Sequence, residues 1–532
     1  MSRARAAALA ALLLASALVV FALPVGRRPL AHQDEARFAL LAREAVESHH
    51  WLLPRVRGVI YLNKPPLYFW TVALLAKPFG VVNDVTAPLA SVLGALVTLL
   101  AVIALGRRLW SWSVGLAGAL VLAAVPFFYF MSHQVFSDTM MTAWLTWALY
   151  FLLTARQAPA PLPRLVGFYL CVAGALAAKG PAALVALLAA LVVVLVEDGG
   201  RRGLRWLRLP VGLGILALAS LPWLLPYFLQ TERSYVGAVV VGHYGDWYFR
   251  AKTGSPRIES LQENLVGFLP WTVFLPAALW WWWRDRDPRR RPLVLWTVVI
   301  AVVMSLSSEQ RPRYFLPVLP PLSLLVAELL AHAPLEPSRR GRRVLLASLA
   351  GAALVAVWAA VVLLQMPPGG ETFVPPPGWP RVVVATLMVA GPAGALGLLA
   401  VRGSGPAAIV ALALAVGGIL IVEGWTYPGQ YAERTNIRAF TAAVADRLPS
   451  DPRIATHLDA GLAFDFYLRR PIQDLPQPAD LDARLAAPER GDVVLIREQR
   501  WATMRAAHEA RWQVLLVDRV GRGRMVLLAP RP

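Results

Sequence analysis

Thirteen stretches of the chain are almost wholly apolar, and each is long enough or nearly long enough to cross a lipid bilayer. A membrane-spanning helix needs about 20 predominantly apolar residues. Of the 532 residues, 57% are hydrophobic and only 16% are charged, whereas soluble domains carry roughly 25% charged residues. The sequence therefore predicts a polytopic α-helical membrane protein with about 13 spans, at 6–23, 87–105, 114–130, 138–153, 165–178, 181–196, 211–229, 265–283, 293–307, 314–331, 344–364, 382–401 and 407–422.

Arginine residues gather at alternate connections between these stretches. The positive-inside rule assigns such connections to the cytoplasm, so we expect the N-terminus inside and, with an odd number of spans, the C-terminus outside. The net charge of +20 is then mostly a topological signal, and no nucleic-acid partner is expected. The set consists of Arg3, Arg5, Arg107, Arg108, Arg156, Arg164, Arg201, Arg202, Arg205, Arg208, Arg284, Arg286, Arg289 to Arg291, Arg339, Arg340, Arg342, Arg343 and Arg402.

Three features of the apolar part need separate interpretation: the first apolar stretch, the single cysteine and one charged residue inside a predicted span. Arg3 and Arg5 before the first apolar stretch would also suit a signal peptide. The sequence before Pro24 has no convincing small-x-small cleavage pattern, which favours a retained helix. The single cysteine, Cys171, excludes a disulfide framework and a four-cysteine metal site. Glu328 is the clear charged exception inside a predicted span, and we expect it to snorkel to the cytoplasmic edge.

Four outer segments, 24–86, 132–138, 179–181 and 230–264, are too polar to be simple connectors. The fourth contains His243 and Arg250. In the first, proline suits the first turn of a helix, so an apolar helix is expected from Pro65 to about Lys77. Two helices of this kind fit an interfacial arrangement along the outer leaflet. The other helix of the first segment is predicted by helical spacing, with an apolar face formed by Phe38, Leu41, Ala42 and Ala45.

The composition changes after the last apolar stretch. From about residue 431 to 532 the chain is charged and alternates helix-like with strand-like runs. The sequence therefore predicts a transmembrane domain, 1–430, followed by a small outer α/β domain, 431–532. This C-terminal part contains no glycine-rich phosphate loop and no metal-ligand spacing. Helices are predicted at 436–448, 461–468 and 479–487, and strands at 454–457, 492–496, 513–517 and 524–528.

Ionisable residues gathered at one face of a membrane protein mark a functional site more often than not. The predicted outer face combines carboxylates with cations, which suits a reaction in which a phosphate leaves and a hydroxyl or amine attacks. Cations compensate the phosphate charge, and a carboxylate can act as the base for the attacking group. Because phosphate is already a weak base, no protonating acid is required. The candidates are Asp34, Glu35, Asp138, Lys64, Lys179, Arg250, Arg311 and Arg313.

Each candidate also has a purely structural explanation. The aspartates could cap helices, the lysines could be snorkelling anchors, and the arginines near residue 312 could be interfacial charges. Histidines in such positions are more often surface or core residues than metal ligands. The possible capping residues are Asp34 and Asp138, and the possible anchors are Lys64 and Lys179. The possible interfacial arginines are Arg311 and Arg313, and the histidines in question are His133 and His243.

The order of the polar residues in the first outer segment is the most specific feature of the sequence. It contains Asp34-Glu35, then Arg37, Arg43-Glu44, Trp51, Pro54, and Lys64-Pro65-Pro66 with Tyr68 and Trp70. Asp138, Lys179-Gly180-Pro181, His243, and Ser308 to Tyr314 with Pro317 follow. These residues resemble the protein mannosyltransferase and 4-amino-4-deoxy-L-arabinose transferase family of C-type glycosyltransferases over roughly the first 330 residues. The C-terminal α/β domain also looks like that of the bacterial aminoarabinose branch.

The resemblance implies a polyprenyl-phosphate-linked sugar donor at the outer face. The acceptor would be a glycolipid such as lipid A, a polysaccharide or a protein. Asp34 looks like the catalytic carboxylate, with Glu35 beside it. A metal is associated with some family members, but the resemblance identifies no ligands here, and no cofactor is assigned. The residues that look suited to hold the donor phosphate are Lys64, Arg250, Arg311 or Arg313, and Tyr314, with Asp138, Lys179 and His243 as further site candidates.

Two other function classes fit the sequence less well than a transferase does. A transporter or lipid flippase places ionisable groups near the bilayer midplane, often within repeats, whereas this midplane is almost uncharged and no repeat is visible. An envelope scaffold would leave the outer lysines and arginines without a purpose. A bacterial inner membrane is the expected location, because the outer domain lacks the disulfides common in eukaryotic lumenal proteins.

Overall fold

The computed structural model describes residues 2–61, 64–156, 161–230, 259–285, 287–306, 311–332, 339–366, 375–457 and 460–532. The chain divides into two compact units. Unit 1 comprises Met1–Leu23, Leu62–Tyr68 and Pro88–Thr426, and unit 2 comprises Pro24–Tyr61, Phe69–Ala87 and Tyr427–Pro532. Unit 2 thus joins most of the first outer segment to the C-terminal residues. The predicted domain boundary after residue 430 stays a prediction.

Helices dominate the described chain. They are α1 (Arg3–Ala22), α2 (Gln33–Glu47), α3 (Leu67–Ala76), α4 (Leu89–Leu109), α5 (Trp112–Ala123), α6 (Pro126–Ser132), α7 (Asp138–Arg156), α8 (Leu162–Lys179), α9 (Val185–Glu197), α10 (Gly200–Leu207), α11 (Leu209–Gln230), α12 (Glu259–Gly267), α13 (Leu275–Asp285), α14 (Arg291–Ser305), α15 (Leu319–His332), α16 (Arg339–Gln365), α17 (Trp379–Arg402), α18 (Gly405–Thr435), α19 (Ile437–Ala445), α20 (Leu462–Leu468), α21 (Pro478–Ala486) and α22 (Glu498–His508).

The membrane-spanning character predicted from the sequence is present in these helices. Among the described residues, 8 helical segments are long and apolar enough to cross a bilayer. The number rises to 9 if α5 and α6, which meet at a bend of 73°, form one broken span. Every predicted apolar stretch overlaps at least one helix. The chain is therefore a polytopic α-helical membrane protein, and the number of 13 spans stays a prediction.

Glu328 in α15 is buried, with an exposure of only 2%. The expectation that it reaches the cytoplasmic edge stays a prediction. Its carboxylate accepts hydrogen bonds from Arg290 Nε at 2.9 Å and Nη2 at 2.6 Å. The ring of His332 lies 3.3 Å from the same carboxylate. A buried charge is costly unless it is paired and hydrogen-bonded, and this bidentate pair meets that requirement inside unit 1.

The first outer segment folds as its periodicity predicts. All four residues of the predicted apolar face, Phe38, Leu41, Ala42 and Ala45, are buried in α2. The expected second helix is α3, which continues into the 3-10 turn Lys77–Phe79. Between them, β1 (Arg55–Val56) and β2 (Val59–Ile60) form a short antiparallel hairpin. The interfacial position of these helices stays a prediction.

The C-terminal part of unit 2 is the predicted α/β fold. Its strands are β3 (Arg453–Thr456), β4 (Gln473–Asp474), β5 (Asp492–Arg497), β6 (Trp512–Val520) and β7 (Gly523–Pro530), in the order β4-β3-β5-β7-β6. Strands β4, β3 and β5 are parallel, whereas β7 pairs antiparallel with both β5 and β6. The central strand β5 is buried almost throughout, as expected for a strand covered on both faces. Each predicted helix and strand is present, and β4 and α22 are additional.

Asp84 connects the first outer segment to the C-terminal part within unit 2. One of its oxygens accepts from the Tyr467 hydroxyl at 2.5 Å and from the Leu30 amide at 3.3 Å. The other accepts from Arg438 Nε at 2.9 Å. Burial and the charge of Asp84 raise the pKa of Tyr467, so its hydroxyl remains a donor. Arg438 also donates to the carbonyls of Gly26 and Arg28, at 3.0 and 3.1 Å.

We expect Asp84→Asn to loosen unit 2, because it removes the charge that faces Arg438 and replaces one acceptor oxygen by a donor. Removing the carboxylate partner of the partly buried Arg438 costs roughly 1–3 kcal/mol. Hydrogen–deuterium exchange of the purified full-length protein should therefore accelerate about tenfold or more in α19 and α20. The exposed Asp451→Asn is the matched control. Equal exchange in the two variants would contradict a structural role for Asp84.

Candidate active site

A sharp break after α8 positions the first candidate residue. The helix ends at Lys179 because Gly180 adopts φ 88° and ψ −158°, a backbone conformation almost restricted to glycine. The Gly180 amide donates to the Leu176 carbonyl at 2.7 Å. Pro181 then begins the 3-10 turn Pro181–Leu184. The predicted break at Lys179-Gly180-Pro181 is therefore present, and Lys179 occupies the helix end.

Lys179 forms an ion pair with Asp138, the first residue of α7. Both side chains are largely withdrawn from solvent, with exposures of 13% for Lys179 and 3% for Asp138. The second carboxylate oxygen of Asp138 lies 3.8 Å from Arg313 Nε. One carboxylate thus faces two cations in a buried environment. We call Asp138, Lys179, Arg313 and Tyr314 the Asp138 cluster.

Aromatic rings hold the two cations of the cluster. The Lys179 ammonium lies 4.4 Å from the centroid of the Tyr314 ring. The Arg313 guanidinium lies 4.4 Å from the Phe136 ring and 5.8 Å from the Tyr314 ring. These distances suit cation–π attraction, which is strongest where water is excluded. The rings stabilise positive charge without neutralising it, so the cluster keeps a surplus of positive charge.

Arg311 stands directly before the 3-10 turn Pro312–Val318 that contains Arg313 and Tyr314. The Tyr314 amide donates to the Arg311 carbonyl at 3.0 Å. The Pro312 carbonyl accepts from the Asn264 side chain at 2.9 Å. The charge of Arg311 is close enough to act on Lys179. Within the described part of the chain, Lys179, Arg311 and Arg313 therefore bring three positive charges to the region of the Asp138 carboxylate.

Sequence reasoning missed Ser91, which supports the segment before Asp138. The Ser91 hydroxyl reaches the carbonyls of Gln134 and Phe136, at 2.5 and 3.3 Å. The Tyr68 hydroxyl lies 2.7 Å from the Ser91 hydroxyl. The only available signal was a small polar residue within the apolar run of α4. Ser91 thus fixes the backbone that leads into Asp138.

The structure describes only some of the remaining candidates for donor binding. Lys64 belongs to unit 1 and is half-buried directly before Pro65. His133 is buried, and its ring lies 4.9 Å from the Tyr129 ring. Arg250 and His243 lie outside the described residues. Within the described ranges, no group of three or more histidine, cysteine, aspartate or glutamate side chains could hold a metal ion.

Asp34 lies in the first turn of α2, in unit 2. The expectation that it could cap this helix needs correction, because the cap is His32, whose Nδ1 accepts from the Asp34 amide at 3.1 Å. The Asp34 carboxylate instead pairs with Arg37, and its side chain is 16% exposed. The Arg37 guanidinium lies 5.5 Å from the Tyr61 ring. Asp34 is thus an oriented carboxylate that solvent still reaches.

Glu35 differs from its neighbour. It is fully buried and pairs with the equally buried Arg28. Burial alone would lower the pKa of the Arg28 guanidinium, but Glu35 and two nearby tyrosines together raise it above its usual value. The Arg28 guanidinium also lies 5.2 Å from the Tyr431 ring. The geometry of Glu35 is that of a buried structural ion pair, so Asp34 is the more accessible of the two carboxylates.

We expect Gly180→Ala to destabilise the break that positions Lys179, because a Cβ at this backbone conformation costs about 1–3 kcal/mol. The melting temperature of the purified protein should fall by several degrees. Gly397→Ala in α17 is the matched control, since its added Cβ meets no atom within 4 Å and alanine favours a helix. Equal melting temperatures for both variants would show that the Gly180 conformation is dispensable.

The chain is similar to known proteins over most of its length. Residues 63–225 match the family model of dolichyl-phosphate-mannose-protein mannosyltransferases. The undecaprenyl phosphate-alpha-4-amino-4-deoxy-L-arabinose arabinosyl transferase of Erwinia tasmaniensis is 27% identical over 511 residues, which cover 90% of this chain and 88% of the relative. The enzyme of the same name from Pseudomonas aeruginosa PAO1 is 31% identical over 67% of this chain and 65% of the relative. Several other relatives match over about three fifths of their length.

Solved structures show the same fold. ArnT from Cupriavidus metallidurans bound to undecaprenyl phosphate superposes with a TM-score of 0.79, at 21% identity, over 97% of both chains. The oligosaccharyltransferase of Archaeoglobus fulgidus, tethered to an acceptor peptide, gives a TM-score of 0.52 at 11% identity, over 99% of this chain and 76% of the other. The chain therefore has the fold of ArnT, is similar over most of its length to aminoarabinose transferases, and matches the protein mannosyltransferase family model over residues 63–225.

Proposed function

We propose that the chain transfers a sugar from a polyprenyl-phosphate donor to an acceptor hydroxyl at the outer face of the membrane. The observation that carries the proposal is the Asp138 cluster, in which one buried carboxylate faces two cations. The chain is similar over 90% of its length to a transferase named for an undecaprenyl phosphate-linked sugar. Undecaprenyl phosphate-linked aminoarabinose is therefore the first donor to test. The acceptor class comprises glycolipids of the lipid A type, other envelope polymers and proteins.

The donor phosphate is assigned to the cations of unit 1. Surplus positive charge beside Asp138 suits a phosphate, because guanidinium groups bind its oxygens as forks and ammonium groups act as point charges. Asp138 would orient Lys179 and Arg313 rather than react. Lys64, Arg311, Tyr314 and Arg250 are proposed to share the phosphate, with His243 as a further site residue. No acid is needed for the leaving group, since phosphate leaves as a weak base.

The acceptor hydroxyl is assigned to Asp34. Its carboxylate is oriented by Arg37 and remains accessible. In the proposed step the acceptor oxygen attacks the anomeric carbon while its proton moves to Asp34. The bond between the anomeric carbon and the phosphate oxygen breaks, and the electron pair stays on the phosphate. Attack from the face opposite the leaving group inverts the anomeric centre. Glu35 is proposed to support this region through its buried pair with Arg28.

The chain is a multi-pass membrane protein, and its family in bacteria belongs to the inner membrane. We propose that the reaction site and the C-terminal α/β domain face the periplasm. The support is the gathering of arginines at alternate connections, which the positive-inside rule assigns to the cytoplasm. Cysteine labelling at residue 505, with a reagent that does not cross the membrane, would test this orientation in spheroplasts of a Cys171→Ser background.

We expect Asp34→Asn to abolish transfer while leaving donor binding intact, because the amide cannot accept the acceptor proton. Loss of a general base typically lowers the rate by about 10²–10⁴-fold. The assay is mass spectrometry of the glycosylated acceptor formed from undecaprenyl phosphate-linked aminoarabinose, with donor affinity measured separately. Asp446→Asn, on an exposed carboxylate of unit 2, should retain full activity. Wild-type transfer by Asp34→Asn would exclude Asp34 as the base.

Arg313 and Arg311 should differ in their effect on the donor. The Arg313 guanidinium faces Asp138 and two aromatic rings, so we expect Arg313→Gln to raise the donor KM about tenfold or more. Arg313→Lys should restore part of this loss, since it keeps the charge but not the fork. The donor KM of Arg311→Gln is measured in the same assay. A donor KM that is unchanged in Arg313→Gln but raised in Arg311→Gln would assign the phosphate to Arg311 instead.

A further inference from the structure

An arginine-rich cavity lies within unit 2, apart from the residues assigned to transfer. Its volume is about 280 Å³, and it is bordered by α2, by the β1–β2 hairpin and by the residues that follow α20. Three carboxylates border it, namely Glu44, Glu47 and Asp465. Five arginines border it, so the lining has a surplus of two positive charges: Arg43, Arg55, Arg57, Arg469 and Arg470.

Two of the three carboxylates are already engaged by other groups. Asp465 accepts from Arg57 Nε at 2.9 Å and Nη2 at 2.6 Å, and from the Ile472 amide at 3.1 Å. Glu44 lies 2.9 Å from a ring nitrogen of His50 and accepts from the Ser48 hydroxyl at 3.3 Å. Arg57 is thus compensated by Asp465, and Asp474 also lies 3.5 Å from its Nη1. The other four arginines have little carboxylate charge to balance them.

Arg43 is the buried member of this set. Its Nη1 and Nη2 donate to the carbonyls of Phe466 and Val82, at 2.9 and 3.4 Å. Its Nε is buried and makes no hydrogen bond to the described part of the chain. Glu47 approaches it only to 4.0 Å and is half-exposed. A buried donor without an acceptor calls for an explanation such as a bound anion or water.

The electrostatics of Arg43 agree with this geometry. Burial lowers its pKa to about 10, and the positive charge of Arg469 acts in the same direction. Glu47 and Asp84 oppose this shift only in part. At neutral pH the guanidinium is still charged. A buried positive charge next to a second arginine, with incomplete compensation, favours a negatively charged occupant.

Two arginines of the lining stand at backbone positions that disfavour them. Arg57 and Gly58, with φ of 54° and 79°, form the two-residue turn between β1 and β2. Asparagine or glycine is the usual first residue of such a turn. Arg469 has φ of 53° directly after α20, where glycine is preferred. Left-handed backbone at a residue other than glycine concentrates at functional sites, and both of these arginines border the same cavity.

We propose that this cavity binds a phosphate group. The free forks of several arginines match the oxygens of phosphate, and charge-assisted pairs of this kind are the strong ones. The phosphate would belong to the headgroup of an anionic lipid or phosphorylated glycolipid, or would be free phosphate. The proposal goes beyond sugar transfer, because binding at this cavity is measurable without donor, acceptor or turnover.

The test uses purified full-length protein in phosphatidylcholine nanodiscs, titrated calorimetrically with two probes. Inorganic phosphate tests the free anion, and short-chain phosphatidic acid tests the headgroup. Arg469→Gln and Arg55→Gln remove exposed side chains of the lining, so folding should be preserved. Arg505→Gln removes an exposed arginine of the same unit that pairs with Glu509, away from the cavity. We expect each lining variant to bind about tenfold more weakly and the control to bind like the wild type.

Each outcome either tests the proposal or identifies the source of the phosphate group. Binding of both probes, weakened in the lining variants, supports a site for which phosphate alone suffices. Binding of phosphatidic acid alone, with the same weakening, supports the site and assigns it to a lipid headgroup. Binding of neither probe, or equal binding by wild type and lining variants, would overturn it. A transfer assay on the same samples separates the proposals, since active protein that binds neither probe overturns the phosphate site alone.

Discussion

In a chain this apolar, every buried charge needs an opposite charge or strong hydrogen bonds beside it, because an isolated ion in a low-dielectric interior is too costly. Examples among the described residues are Asp138 with Lys179, Glu328 with Arg290, and Glu35 with Arg28. Of these three pairs, each joins a carboxylate to a cation in a buried environment. Glu35 and Arg28 are seven positions apart, but the other two pairs join different helices or segments far apart in sequence. Pairing therefore constrains which elements of each unit stay together, and it distinguishes balanced sites from sites with surplus charge.

The balance of charge separates a structural site from a candidate reactive one. Glu328 and Arg290 form one bidentate pair, which suits a locked helix contact. Asp138 instead faces both Lys179 and Arg313, and aromatic rings also lie against those cations. The surplus positive charge is what an incoming phosphate would compensate. The same physical rule thus yields stability at one place and binding capacity at another.

The C-terminal part of unit 2 has a physical role beyond its own sheet. Its residue Phe466 accepts a hydrogen bond from Arg43 of α2, and its ring lies 4.3 Å from that guanidinium. Arg438 and Tyr467 hold Asp84 of the first outer segment. The helix that carries Asp34 is therefore supported by residues more than 400 positions later in the chain. This explains why the first outer segment and the C-terminal residues form one compact unit.

The sequence by itself determined the elements whose physics is local. Apolar length predicted the spans, period 3.6 predicted the buried face of α2, and glycine with proline predicted the break after Lys179. Polar α22, with only Trp501 and His508 buried, offered no such period, and β4 is only two residues long, so both were missed. Tertiary structure alone decided the burial of Glu328 and the joining of Asp138 to Arg313. These depend on contacts between distant segments, where the cost of burying charge, rather than any spacing along the chain, selects the partner.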